Sequence, residues 1–118
     1  MITITLPAGR SAAGASRYDI DDWAEDVLED MMGTSASSLA NFVVYVTPDS
    51  VSWGGVAAYA YIGNYKSVFK SEYASDMGVQ LHEFGHNIGV YHSGENGADY
   101  GDHSCLMGRY IMCPDFPS

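Results

Sequence analysis

Hydrophobic and polar positions follow two periods along this chain, and each stretch predicts one kind of element. Ile2, Ile4 and Leu6 alternate with Thr3 and Thr5, the period of a half-buried strand, and Pro7 and Gly9 stop it. Residues 9–16 are small and polar and read as a loop. Asp19 reads as the N-cap of a helix with Ile20, Trp23, Ala24, Val27, Leu28 and Met31 on one face; Asp21, Asp22, Glu25, Asp26, Glu29 and Asp30 form a solvated opposite face. A loop follows over 33–38. The run 42–46 is continuously β-branched and aromatic, the composition of a strand buried on both faces, and it ends at Thr47-Pro48-Asp49. Beyond a Trp53-Gly54-Gly55 turn, 56–62 predicts another buried strand. Residues 65–69, across Gly63-Asn64, predict its hairpin partner at the sheet edge. Ser75 or Asp76 caps a last helix whose Met77, Val79, Leu81, Phe84 and Ile88 pack toward the sheet. The expected fold class is α+β, a twisted, mixed but mainly parallel sheet packed on two helices.

Length and charge narrow the picture. The 118 residues make one domain, 1–118, in which about two thirds of the unfolded chain's surface can be buried without metal or disulfide staples. Five basic against fifteen acidic residues leave a net charge of -10, which argues against nucleic acid or an anionic membrane as partner. No apolar run approaches a membrane span, and the first six residues lack the basic head and apolar core of a secretory signal. The chain reads as a soluble, monomeric core cut from a longer precursor whose leader and pro-segment are missing. Its two cysteines, Cys105 and Cys113, either bridge a short loop or stay as buried thiols.

The chemistry is concentrated in His82-Glu83-Phe84-Gly85-His86-Asn87-Ile88-Gly89-Val90-Tyr91-His92. Residues four apart share a helix face, so His82 and His86 can offer ring nitrogens to one ion. Glu83 lies roughly 100° around the helix, where its carboxylate reaches water beside the ion without ligating it. Gly89 accepts the left-handed backbone that ends a helix, so His92 can swing back as a third ligand, leaving a fourth position open for catalysis. A bare His-Glu-x-x-His arises by chance in such a chain at roughly the one-in-a-hundred level; requiring Gly89 and His92 lowers this to about one in 10⁵, which favours a metal site over a packed helix. Nitrogen ligands with an open tetrahedral position point to Zn2+.

At these residues, and at Tyr100-Gly101-Asp102-His103-Ser104-Cys105-Leu106-Met107-Gly108, the chain resembles the metzincin metallopeptidases, and among them the gametolysin family. The resemblance implies a zincin-like fold with the active-site helix under the cleft. It further implies an N-terminal subdomain over 1–92 and a truncated, irregular C-terminal part over 93–118 carrying a methionine turn. Met107 would lie beneath the three imidazoles as a structural support. The implied activity is a zinc-dependent endopeptidase in which Glu83 is the general base toward a metal-activated water. Substrate would be a peptide or protein, lying antiparallel along one of the two strands of the 56–69 region, with extracellular matrix or cell wall as the target of a secreted enzyme.

Other residues carry less. Tyr110 is a candidate oxyanion donor, although it lies three positions after Met107 where some metzincins place a tyrosine two after. His103 reads as a turn residue rather than a ligand, and Asp99 and Asp102 read as loop caps, with calcium binding or orientation of a ligand as the alternative. Only eleven residues follow Met107, where metzincins continue into a pocket wall and a helix. That departure motivates the competing reading, a catalytically weak or inactive metal-containing module that binds peptide or matrix. A third reading, a cell-internal hydrolase acting on another amide, differs in compartment, and the state of the cysteines bears on it.

Overall fold

The first helix is capped three residues before the expected position. In the computed structural model, which describes residues 1–11, 14–102 and 104–108, Ser16 Oγ accepts the Asp19 N–H at 3.2 Å and α1 runs over Arg17–Met32. Asp19 therefore sits in the first turn, where its charge favours the helix dipole, rather than at the cap. Gly33, at φ 69°, closes the helix in the left-handed conformation. Within the expected 33–38 loop a single turn, α2 (Ala36–Leu39), forms because Glu29 Oε1 accepts the Ala36 N–H at 2.7 Å.

Three strands follow: β1 (Val43–Thr47), β2 (Ala58–Ala60) and β3 (Lys66–Lys70). Their order is β1-β3-β2, with β1 parallel and β2 antiparallel to β3. Two expectations are corrected here. The hairpin across Gly63-Asn64 forms, but β3 is the central strand and β2 an edge. Among the described residues the sheet has one parallel and one antiparallel pairing, so it is mixed but not mainly parallel. A third correction concerns residues 2–6, which form no strand; Ile4 and Leu6 instead pack against the main core. Their alternation marks two half-buried side chains and does not require ladder bonds.

Successive residues of a strand point to opposite faces, and β3 shows what lies on each. Val68 joins Ile20 and Leu28 of α1, with Tyr45, Val51 and Trp53, in one cluster. Phe69 joins Ala58 and Val79 in another, under α3 (Met77–Asn87). The sheet thus lies between the two helices. Because α3 packs mainly over β2 and β3, the α3-side residues of β1, Val44 and Val46, are 55% and 52% exposed, against the expectation of a strand buried on both faces.

The acidic face of α1 is only partly solvated. Asp21 is fully buried, and Lys66 Nζ reaches its Oδ1 at 2.5 Å and Glu25 Oε2 at 2.8 Å. Tyr59 and Tyr61 donate to Asp21 Oδ2 at 3.1 and 2.8 Å, and Tyr65 donates to Glu25 Oε1 at 2.7 Å. Burial works against the ammonium, but the bonds to Asp21 and Glu25 hold Lys66 above its ordinary value. The carboxylates turn inward because β3 supplies the cation that compensates them. Removing it leaves a buried charge uncompensated, so Lys66→Met is expected to cost about 3–5 kcal/mol in a urea unfolding titration.

Candidate metal centre

Asp76 starts α3 by accepting the Val79 N–H at 3.1 Å. The helix buries its polar side: His82, Glu83 and His86 are 2%, 3% and 7% exposed, while Met77, Leu81, Phe84 and Ile88 face outward. This reverses the expected orientation, in which those apolar residues met the sheet; of that group Val79 alone is buried. Gly89, at φ 95°, turns the chain back, with its N–H bonded to His86 O and Val90 N–H to Gly85 O. His92 is thereby carried to the other two histidines.

The three rings lie 4.7–5.4 Å apart by centroid, and one nitrogen from each falls within 4.8 Å of the others. Each Nδ1 faces an oxygen at 2.8 Å: Leu106 O for His82, Val90 O for His86 and Asp99 Oδ2 for His92. Carbonyls only accept, so His82 and His86 carry their protons on Nδ1, and the Asp99 carboxylate imposes the same tautomer on His92. The Nε2 atoms of His86 and His92 then meet at 3.1 Å as two lone pairs. Such a contact suits a cation between them, since tetrahedral ligands about 2.0–2.1 Å from zinc stand about 3.3 Å apart. Burial, with the neighbouring histidines adding to it, lowers His82 to about 4, and burial lowers His86 as well; both are neutral donors at physiological pH. The donor set fits a divalent metal ion.

Glu83 Oε2 is buried without a hydrogen-bond partner among the described residues, and desolvation raises the carboxyl to about 7. It opens with the three histidines onto a cleft of about 780 Å³ whose opposite wall includes Val56, Ala58 and Ala60 of the β2 region. Met107 is 7% exposed and stands against α3 so closely that a side chain at Gly85 would overlap its Sδ. Its carbonyl accepts the Ser93 N–H at 2.9 Å.

Asn87 and Tyr100 stand within the two motif stretches, but the sequence assigns neither a role of its own. Asn87 Nδ2 donates to Lys66 O at 2.9 Å and Tyr61 O at 3.3 Å, and Gly63 N–H donates to His86 O, so the β2–β3 hairpin holds the end of α3. Tyr100 packs on the His92 ring at 3.9 Å between centroids. Its available signal was the Asn96-Gly97 dipeptide, a hairpin-turn pair just ahead of it. Asp102 caps its loop, accepting from Ser93 and Ser104, as expected. Tyr110, His103 and Cys113 lie outside the described residues; Cys105 is half-buried.

No helix among the described residues is long and apolar enough to cross a membrane. No solved structure matches the chain significantly. Among curated proteins, the autolysin of Chlamydomonas reinhardtii is 29% identical over 85 residues, covering 64% of this chain but 13% of that relative's length. The family model described as gametolysin peptidase M11 matches residues 2–118. A match of that extent, joined to the tri-histidine cluster, shows that this chain belongs to the gametolysin peptidase family.

Proposed function

We propose that the chain is the catalytic core of a zinc-dependent endopeptidase, with His82, His86 and His92 as metal ligands and Glu83 as general base. The observation that carries this reading is the approach of the His86 and His92 Nε2 atoms to 3.1 Å in the same cleft as Glu83, whose buried Oε2 has no hydrogen-bond partner among the described residues. Those three histidines would hold a zinc ion, which would supply a Lewis acid for the scissile carbonyl and lower the pKa of water from about 15.7 toward about 7. Glu83 takes the proton of the attacking water and passes it to the leaving amine, a role suited by a carboxyl raised to about 7. Met107, packed against Gly85 with Leu106 O on His82, supports the ligand platform from below.

The substrate is an extended peptide. β2 has β3 on one side, and its neighbourhood lines the cleft on the other, so a peptide can add antiparallel to that edge with its scissile bond near the histidines. On family likeness the target lies outside the cell, in matrix or wall. The purified protein loaded with zinc is expected to cleave an unfolded protein, to stop when a chelator is added, and to resume when zinc is restored. Stoichiometric zinc binding without any cleavage would instead favour a metal-containing peptide-binding module.

A further inference from the structure

The three imidazoles are not held alike. His82 and His86 project from α3 and lean on backbone carbonyls, whereas His92 lies beyond the helix and its Nδ1 meets a carboxylate, Asp99 Oδ2, at 2.8 Å. The segment that brings this carboxylate is a short hairpin tied at both ends. Glu95 and Ala98 exchange both backbone bonds, at 3.1 and 3.0 Å, across Asn96 and Gly97, whose φ values of 53° and 81° suit a tight type I′ hairpin turn. The Asp102 N–H bonds to Ser93 O, and the Ser93 N–H to Met107 O, which ties both ends of the segment to the floor of the site. Asp99 follows the turn directly, and Tyr100 lays its ring on that of His92.

Resting on the metal-site reading above, we propose that this hairpin is an orienting arm for the third ligand. Asp99 is its positioning residue: it holds the Nδ1–H of His92 so that Nε2 turns toward the ion, while Tyr100 covers the face of the ring. Asp99 has a side chain 74% exposed, so solvent screens its charge, and it acts by fixing ring direction and tautomer. The loop carboxylate thus does for a residue outside the helix what helix geometry does for the other two.

Zinc affinity, measured by competition with a chromophoric chelator, tests this independently of turnover. Asp99→Ala is expected to weaken zinc binding about 10–100-fold while the melting temperature of the zinc-free protein moves by less than about 2 °C. Introduced into His92→Ala, the same change is expected to weaken binding by no more than about 2-fold further, because Asp99 acts through that ring. Unchanged affinity in Asp99→Ala, a fall in the zinc-free melting temperature that accounts for the loss, or losses that multiply in the double variant would each overturn the proposal. If Asp99→Ala fails to fold, it is overturned as well, since the residue then holds the fold rather than the ring. Absence of zinc binding by the unaltered protein would remove the metal-site reading itself, whereas binding unaffected by Asp99 removes only the arm.

Discussion

Glu83→Gln is expected to lower peptide hydrolysis by about 10²–10⁴-fold while zinc stays bound at one ion per chain. The amide has nearly the carboxylate's shape and fits the same buried position, but it cannot accept the proton of the attacking water. Glu83 hydrogen-bonds to no ligand among the described residues, so its loss leaves the Nδ1 contacts of all three histidines in place. Turnover of an unfolded substrate and metal analysis of the same preparation separate the two effects. Retained turnover in the glutamine variant would remove Glu83 from the chemistry, and loss of the ion would show that it helps to hold the site.

His86→Ala is expected to weaken zinc binding by well over about 100-fold, more than loss of a supporting partner, because a direct ligand disappears from the pair that meets at 3.1 Å. The stabilisation that zinc confers on the unaltered protein carries a pH signature. His82, lowered to about 4 by burial, favours the fold above its unfolded value of 6.5, and this contribution fades as pH falls toward 4. Glu83, raised to about 7 by burial, favours the fold below 4.5 and loses that contribution as pH rises through 7. In the zinc-free protein the two slopes oppose one another between pH 5 and 6.5. A bound cation suppresses imidazole protonation and favours the carboxylate, so the rise in melting temperature on adding zinc is expected to grow from about pH 5 to pH 7.5. In His86→Ala that rise is expected to be nearly absent, and an equal rise in both proteins would argue against His86 as a ligand.

How much of this was legible in the residues depended on whether the determining interaction was local. Asp76 capping α3, Gly89 turning the chain and the hairpin at Gly63-Asn64 are each decided within a few residues, and each was readable. The spacing of His82, Glu83 and His86 was readable because helix geometry alone converts it into a shared face. Periodicity says which residues lie together but not which way they point. On α3 the apolar set Met77, Leu81, Phe84 and Ile88 looks outward because the interior side is taken by the histidines, Glu83 and Asn87. The inward turn of Asp21 and Glu25 depended on Lys66, about forty residues away in sequence, and no local pattern announces that pairing. The same holds for the order β1-β3-β2, which places the later strand at the centre. Asp99 reads as a loop cap from its neighbours, and only the tertiary return of His92 reveals its partner.

X-ray absorption at the zinc edge of the loaded protein reads the coordination shell itself. One zinc per chain is expected, with three imidazole nitrogens at about 2.0–2.1 Å and an oxygen completing the shell. A sulfur scatterer at about 2.3 Å, or fewer than three imidazoles in the shell, would contradict the tri-histidine site.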